Sequence, residues 1–571
     1  MALPTFPDDF NLADYYLLDR LAEGLGEKVA IRFGDHALTY AEIGDRTLKT
    51  STLLRRAGLP RGGRVLIVLR DIPAFAWTFF GTLRAGGVVA MGNPDLDAES
   101  IAYLARYTGA SVLITAPRVA RALSPLISSL HALPGNPGGS GPLLKIFVVD
   151  EPETGGNPRR RVRGDELAAM PMVVDLEASL AALDLREPPS IVRTHRDEPA
   201  IWLFTSGSTG KPKAAMHAHG DFAWNTEVFA KGTVGVSRDD VTVSVPRLFF
   251  GYATGTNLMF PFAVGATVGL FAERPTPESL LAAIERYRPT VLTLVPTMMG
   301  KFLDHDEERR ARGEPGLDLS CVKWAYSAGE ALPASLLARW RERFPIDVYD
   351  GIGSAEMFHI YATNRPGDVK AGSLGRVVEG YELKILPEDA IGAGAEPVAP
   401  GDIGVLWVRG PSVAFGYWLD REKSFSTFHG AWCRTGDLFH VDAEGYLYFD
   451  GRADDLLKVS GIFVAPQEVE ECLMQHPAVS HATVIGADDE GLLKPKALIV
   501  VKEASRASLL TREGRDALRA QLKEHVKARL AKHKYPRFIV FSDDLPKNDR
   551  GKVDRKQLKE REAKSELPEE P

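Results

Sequence analysis

The sequence predicts an α/β protein with a small, separate α+β unit toward its C-terminal end. Three observations predict it. Short apolar runs at 65–69, 111–115 and 291–295 end in polar or proline-containing turns. They alternate with longer helical stretches such as Pro277–Tyr287, the pattern of buried strands joined by helices. Beyond Asp450 the texture changes. Leu518, Leu522, Val526 and Leu530 share one helical face, flanked by strand candidates at 497–501 and Phe538–Phe541. Finally, 571 residues, 44% hydrophobic and 25% charged, give enough apolar material for sizeable cores and about three or four structural units.

The net charge of −7 argues against nucleic acid as a partner, because that calls for a clustered basic surface. A cytoplasmic location is expected. The run at 131–142 is rich in Gly, Pro and Ser, and Arg159, Arg160, Arg161 and Arg163 follow it; both read as exposed insertion. Cys321, Cys433 and Cys472 are far apart, with no C-x-x-C pair, so each is expected as a small buried residue. The start MALPTFPDDF does not read as a signal peptide. The uncharged stretch 248–272 is long enough to span a membrane. Its Gly251, Gly255, Gly265, Gly269 and Pro261 fit strand and turn better, and no membrane span is expected.

The strongest local signal is Thr205-Ser206-Gly207-Ser208-Thr209-Gly210-Lys211-Pro212-Lys213, directly after the apolar strand Ile201-Trp202-Leu203-Phe204. Glycines let the backbone approach an anion, and hydroxyls, amides and lysines satisfy it. The string is not a Walker A loop, since only two residues separate Gly207 from Gly210 and Pro212 follows Lys211. A phosphate-binding loop is expected.

This string resembles the signature of adenylate-forming enzymes, which include acyl-CoA synthetases, adenylation domains of peptide synthetases and luciferases. Further motifs resemble the family's in order: Leu38-Thr39-Tyr40, Gly351-Ile352-Gly353-Ser354-Ala355-Glu356, Arg434-Thr435-Gly436-Asp437, Gly451-Arg452-Ala453-Asp454-Asp455 and Pro546-Lys547-Asn548-Asp549-Arg550-Gly551-Lys552. The resemblance implies a large N-terminal domain, 1–453, of several subdomains with mixed sheets packed by helices. It implies a small mobile α+β domain, 454–571, hinged at Asp454.

By the same resemblance, Thr205 through Lys211 bind phosphate. Glu356 holds Mg²⁺ on the phosphates, a role suited to a hard cation's preference for oxygen. Gly329, Glu330, Ala331, Asp350 and Gly351 form the adenine pocket; Asp437 and Arg452 contact the ribose. Lys552 is the catalytic lysine, its ammonium bridging the substrate carboxylate and the α-phosphate. Lys458, Ser460 and Gly461 line the tunnel for the thiol of coenzyme A. One position departs from the pattern: Ala355 stands where the family usually has Thr.

The segment Arg247-Leu248-Phe249-Phe250-Gly251-Tyr252 lies where the family forms its acyl pocket. It carries aromatics and no acid, which disfavours an amino acid with a charged α-amine and suits a flat apolar acid. Phe250, Gly251 and Tyr252 together with Met357-Phe358-His359-Ile360 resemble the benzoate–CoA ligase branch, with Ala328 and Gly353 completing the pocket. Members of that branch commonly have Ala where Gly251 stands. The missing methyl suggests room for an ortho substituent, as in 2-aminobenzoate or 2-hydroxybenzoate, and the acid expected is 2-aminobenzoate or benzoate. The resemblance thus implies ATP, Mg²⁺ and coenzyme A acting on an aryl acid. Two alternatives are an aryl-acid adenylating enzyme serving a separate acyl carrier protein and a non-catalytic acyl-adenylate binder.

Overall fold

The computed structural model describes residues 3–127, 130, 145–151, 170, 172–183, 192–206, 211–455, 457–459, 462–489, 492–546 and 553–567. The chain divides into two compact units, residues 1–383 with 408–433 and residues 384–407 with 434–571.

Two mixed sheets organise the first unit. One places Val173–Asp175, Lys145–Val148, Val112–Thr115, Arg64–Val68, Val88–Met91, Pro199–Ser206 and Pro212–Ala218 side by side. Its strands run parallel except the last, which pairs antiparallel with Pro199–Ser206. The other runs from the hairpin Val29–Phe33/His36–Thr39 through Thr267–Leu270, Val241–Ser244, Val291–Leu294, Trp324–Ala328 and Asp347–Gly353 to Ile360–Thr363 and Arg376–Val377. It is parallel at its centre and antiparallel at both edges. The apolar runs at 65–69, 111–115 and 291–295 are strands Arg64–Val68, Val112–Thr115 and Val291–Leu294, buried throughout, because parallel strands carry helices on both faces. The helix expected at Pro277–Tyr287 starts at Pro277, with Thr276 accepting from the Ser279 amide as its cap.

The stretch 248–272 departs from the strand-and-turn expectation. Gly251–Thr254, Gly255–Met259 and Phe260–Val264 form one helical run with a π-helical turn at its centre; only Thr267–Leu270 is strand. Gly255 is there for contact rather than for a turn: a Cβ on it would lie 2.5 Å from the His359 ring. Gly265, at φ 75°, closes the helix in the left-handed region. No described helix is long and apolar enough to cross a membrane.

In the second unit, Val479–Asp489, Leu492–Val501 and Phe538–Phe541 form a three-stranded sheet under the helix Arg512–Lys527. Leu518, Leu522 and Val526 are the buried apolar stripe of that helix; Leu530 lies past its end and packs half-buried on the same cluster. Both strand candidates are strands. The terminal helix Arg555–Ala563 is held by ion pairs: Arg555 to Glu470, Lys559 to Asp455 at 2.6 Å, and the fully buried Lys496 to Glu562 at 2.6 Å. Cys433 and Cys472 are buried as expected; Cys321 is only partly so, and all three are free.

Candidate active site

The phosphate string sits on an antiparallel hairpin. Strand Pro199–Ser206 leads in and Pro212–Ala218 leads out, with Thr205 opposite Lys213 and Ser206 opposite Pro212. Register therefore brings the hydroxyl and lysine ends of the motif together. Lys211 lies over the Tyr103 ring at 5.2 Å, and Lys213 over the Tyr417 ring at 3.6 Å. Gly207, Ser208, Thr209 and Gly210 lie outside the described residues.

Glu356 stands in a short 3₁₀ turn, Ala355–Met357, directly after strand Asp347–Gly353. Three bonds fix that turn to the hairpin side of the unit. The His217 ring nitrogen Nε2 meets the Ala355 carbonyl at 2.6 Å, and the Ala414 amide donates to the Glu356 carbonyl at 2.8 Å. The Tyr417 hydroxyl donates to Glu356 Oε1 at 2.6 Å. His217 is itself held by Asp221, Nδ1 to Oδ2 at 3.1 Å. Burial raises the Asp221 carboxyl above its ordinary range while His217 pulls it back down. Glu356 Oε2 has no partner among the described residues. One free carboxylate oxygen, completed by the nucleotide's own phosphates, is the arrangement Mg²⁺ prefers, so this residue fits the ion. Ala355 packs against the cluster of Ala215, Ala414 and Tyr417, and the neighbouring Ser354 Oγ is buried without a hydrogen bond.

The two aromatic strings, distant in sequence, are brought together. His359 Nε2 contacts the Tyr252 carbonyl at 3.0 Å, so that nitrogen carries the proton. The His359 ring packs among Phe229, Tyr252, Phe260 and Phe358. Burial pushes its pKa down to about 4, partly opposed by the Tyr252 carbonyl, so the ring is neutral at physiological pH. Gly353 pairs with Ile360 across the sheet, and a Cβ at Gly353 would lie 2.5 Å from the His359 carbonyl. A Cβ at Gly251 would meet Leu203 Cδ1 at 3.1 Å and the Phe358 carbonyl oxygen at 3.5 Å. Phe358 has φ 69° and ψ −61°, a strained backbone for a bulky residue. Phe250 precedes the helical run as its cap residue.

Ala328 and Gly351 are register partners, as are Ser327 and Asp350, which puts the end of strand Trp324–Ala328 beside the Asp350 strand. Burial pushes Asp350 up to about 8, against weaker pulls from the Ser327 hydroxyl and the Gly351 amide. Gly329 follows at φ 89°, with Ala331 partly buried two residues on. The Glu330 carboxylate is engaged otherwise: it accepts from the Thr297 amide at 3.0 Å and hydroxyl at 2.6 Å, capping the helix Pro296–Ala311. Both bonds are to Oε2; Oε1 has no partner among the described residues. In the second unit, Asp437 and Arg452 are cross-strand partners, joined Oδ1 to Nη1 at 2.9 Å.

Lys552, Ser460 and Gly461 lie outside the described residues, as do the run 131–142 and the Arg159–Arg163 cluster; so do the side chains of Ser206, Asp454 and Lys458. Sequence reasoning missed Tyr417, His217 and Asp221. The Gly416-Tyr417-Trp418 string was the available signal for the first.

Residues 18–418 match the family model of the AMP-binding enzymes, and residues 468–552 that of the AMP-binding enzyme C-terminal domain. The chain belongs to this adenylate-forming family, in its AMP-forming aryl-CoA ligase branch. It is 38% identical over 555 residues to the benzoate–CoA ligase of Thauera aromatica, covering 97% of this chain and 96% of that one. It superposes with a TM-score of 0.83 on the anthranilate CoA ligase AuaEII in complex with anthranoyl-AMP, at 32% identity over 98% of this chain and 99% of that one. For a benzoate CoA ligase from Burkholderia xenovorans LB400 the TM-score is 0.80, at 34% identity over 96% and 99%.

Proposed function

We propose that the protein condenses a benzoate-type acid with ATP to aryl-AMP and transfers the aroyl group to coenzyme A, with 2-aminobenzoate as the preferred acid. The observation that supports an aryl acid is the joining of Phe250–Gly251–Tyr252 to His359 inside a cluster of aromatic rings. A flat ring fits such walls. The wall beside Gly251 is a leucine methyl and the Phe358 carbonyl oxygen. With no Cβ in between, that carbonyl is an acceptor for an amino or hydroxyl group ortho to the carboxylate.

In the first step a carboxylate oxygen attacks the α-phosphorus and the bond to pyrophosphate breaks. Thr205, Ser206, Ser208, Thr209 and Lys211, with the amides of Gly207 and Gly210, hold the phosphates. Glu356 would hold Mg²⁺ on the phosphates, where the ion would offset their charge. Gly329, Glu330, Ala331, Asp350 and Gly351 hold the adenine, and Asp437 with Arg452 orients the ribose. Lys552 places a positive charge between carboxylate and α-phosphate. In the second step the thiol attacks the acyl carbon and AMP leaves. Asp454 is the hinge that exchanges Lys552 for the segment of Lys458, Ser460 and Gly461 between steps.

Lys552→Ala tests this. Aryl-acid-dependent ATP–pyrophosphate exchange should fall roughly 100- to 1000-fold, while aroyl-CoA formation from supplied aryl-AMP survives. Equal loss in both half-reactions would contradict the exchange of segments.

A further inference from the structure

The carboxylate assigned to Mg²⁺ is not held by its own turn. Its backbone carbonyl is bound by Ala414, the carbonyl before it by His217, and its side chain by the Tyr417 hydroxyl. Residues 414–418 run along the outgoing strand of the phosphate hairpin: the Phe415 amide donates to Met216, the Met216 amide to Gly416, and the Trp418 amide to Ala214. Tyr417 is therefore fixed to the same strand that carries Lys213, and its ring face lies under the Lys213 ammonium at 3.6 Å. One buried ring touches the cation of the phosphate loop with its face and the metal carboxylate with its hydroxyl.

We propose that Tyr417 is a positioning residue for adenylation: by donating to Glu356 Oε1 it fixes the carboxylate and leaves Oε2 to hold a cation, and it locks that carboxylate to the phosphate hairpin. The inference rests on the reading of Glu356 given above and goes beyond it. A carboxylate free to rotate would lose entropy each time it met the ion; a prebound one does not. A phenol, with an ordinary pKa of about 10, keeps its proton at neutral pH, so the hydroxyl is the donor and the carboxylate the acceptor. The clamp also gives Ala355 a rationale. With the turn held from three sides, its location does not depend on a threonine hydroxyl at 355.

The test is a cycle of Tyr417→Phe, Glu356→Gln and the double variant. Tyr417→Phe keeps the ring under Lys213, and Glu356→Gln keeps an oxygen acceptor for the phenol, so each preserves packing if the other does not. Tyr417→Phe should lower aryl-acid-dependent ATP–pyrophosphate exchange roughly 10- to 100-fold, the size of a lost hydrogen bond to a charged group. The tightening of ATP binding by Mg²⁺, read by calorimetry, should shrink, with the affinity for ATP in chelator unchanged. Aroyl transfer from supplied aryl-AMP should be unaffected, and the double variant should be no worse than Glu356→Gln alone. Tyr417→Phe within twofold of wild type in exchange and Mg²⁺ dependence, with Glu356→Gln impaired, would overturn the proposal alone. Equal loss in both half-reactions would show a merely structural ring and overturn it too. An unimpaired Glu356→Gln would overturn the underlying reading of Glu356.

Discussion

At the residue scale, selectivity is argued from one missing methyl. Replacing Gly251 by Ala puts a Cβ 3.1 Å from Leu203 Cδ1 and 3.5 Å from the Phe358 oxygen, so the leucine must give by a few tenths of an ångström. Gly251→Ala is expected to lower the ratio of kcat/KM for 2-aminobenzoate over benzoate, within the roughly 10- to 200-fold that a methyl can supply. An unchanged ratio would remove Gly251 from the argument. Residues carried by short strings were legible as candidates: Glu356, Asp437, Arg452 and His359 all sit in ordered motifs, and their roles are proposals. Those acting across the fold were not. Tyr417 reaches Glu356 over 61 positions and His217 reaches Ala355 over 138, separations that no local pattern encodes. Glu330 carries a second task that its string does not encode: its Oε2 accepts from the Thr297 amide and hydroxyl.

At the element scale, buried strands and capped helices were the easiest to read. Thr276-Pro277 fixed one helix start, and the Leu38-Thr39-Tyr40 motif resolves into another, a Thr39–Glu42 capping box opening the helix Tyr40–Arg56. The uncharged stretch 248–272 departs from the strand-and-turn expectation because glycine in it serves close packing as well as turns. Gly255 lies within the helical run since the imidazole of His359 occupies the space of its side chain. Gly255→Ala should therefore destabilise the protein by about 1–3 kcal/mol through overpacking and weaken aryl-acid binding by displacing His359. Thermal unfolding together with KM for the acid checks both effects. A variant as stable as wild type would mean that the ring moves without strain.

At the scale of the whole molecule, buried charge sets two expectations. Lys496 is fully buried against Glu562, and Lys496→Ala leaves that carboxylate without its partner, an expected loss of about 3–5 kcal/mol. Because Glu562 belongs to the terminal helix just beyond Lys552, chymotryptic cleavage near that helix should rise in parallel. The second expectation concerns pH. The folded chain holds the Asp350 proton up to about 8, whereas the unfolded chain releases it near 3.8; the folded state then binds more protons, and stability falls as pH rises through that window. His219 and His359, with pKa values of about 4 against 6.5 unfolded, act oppositely, adding stability as pH rises from 4 to 6.5 and nothing further above. Between pH 6.5 and 8 the Asp350 contribution is therefore unopposed by them. The urea midpoint should decline less over that interval in Asp350→Asn than in wild type.

The central claim is that this chain joins an aryl acid to coenzyme A through aryl-AMP. Its most direct test is the product analysis of purified protein with ATP, Mg²⁺, coenzyme A and either benzoate or 2-aminobenzoate. Aroyl-CoA with one AMP and one pyrophosphate per turnover is expected, at higher kcat/KM for 2-aminobenzoate. Thioester formed with ADP, or no aroyl-CoA from any benzoate while an acyl carrier protein is loaded, would overturn that reading.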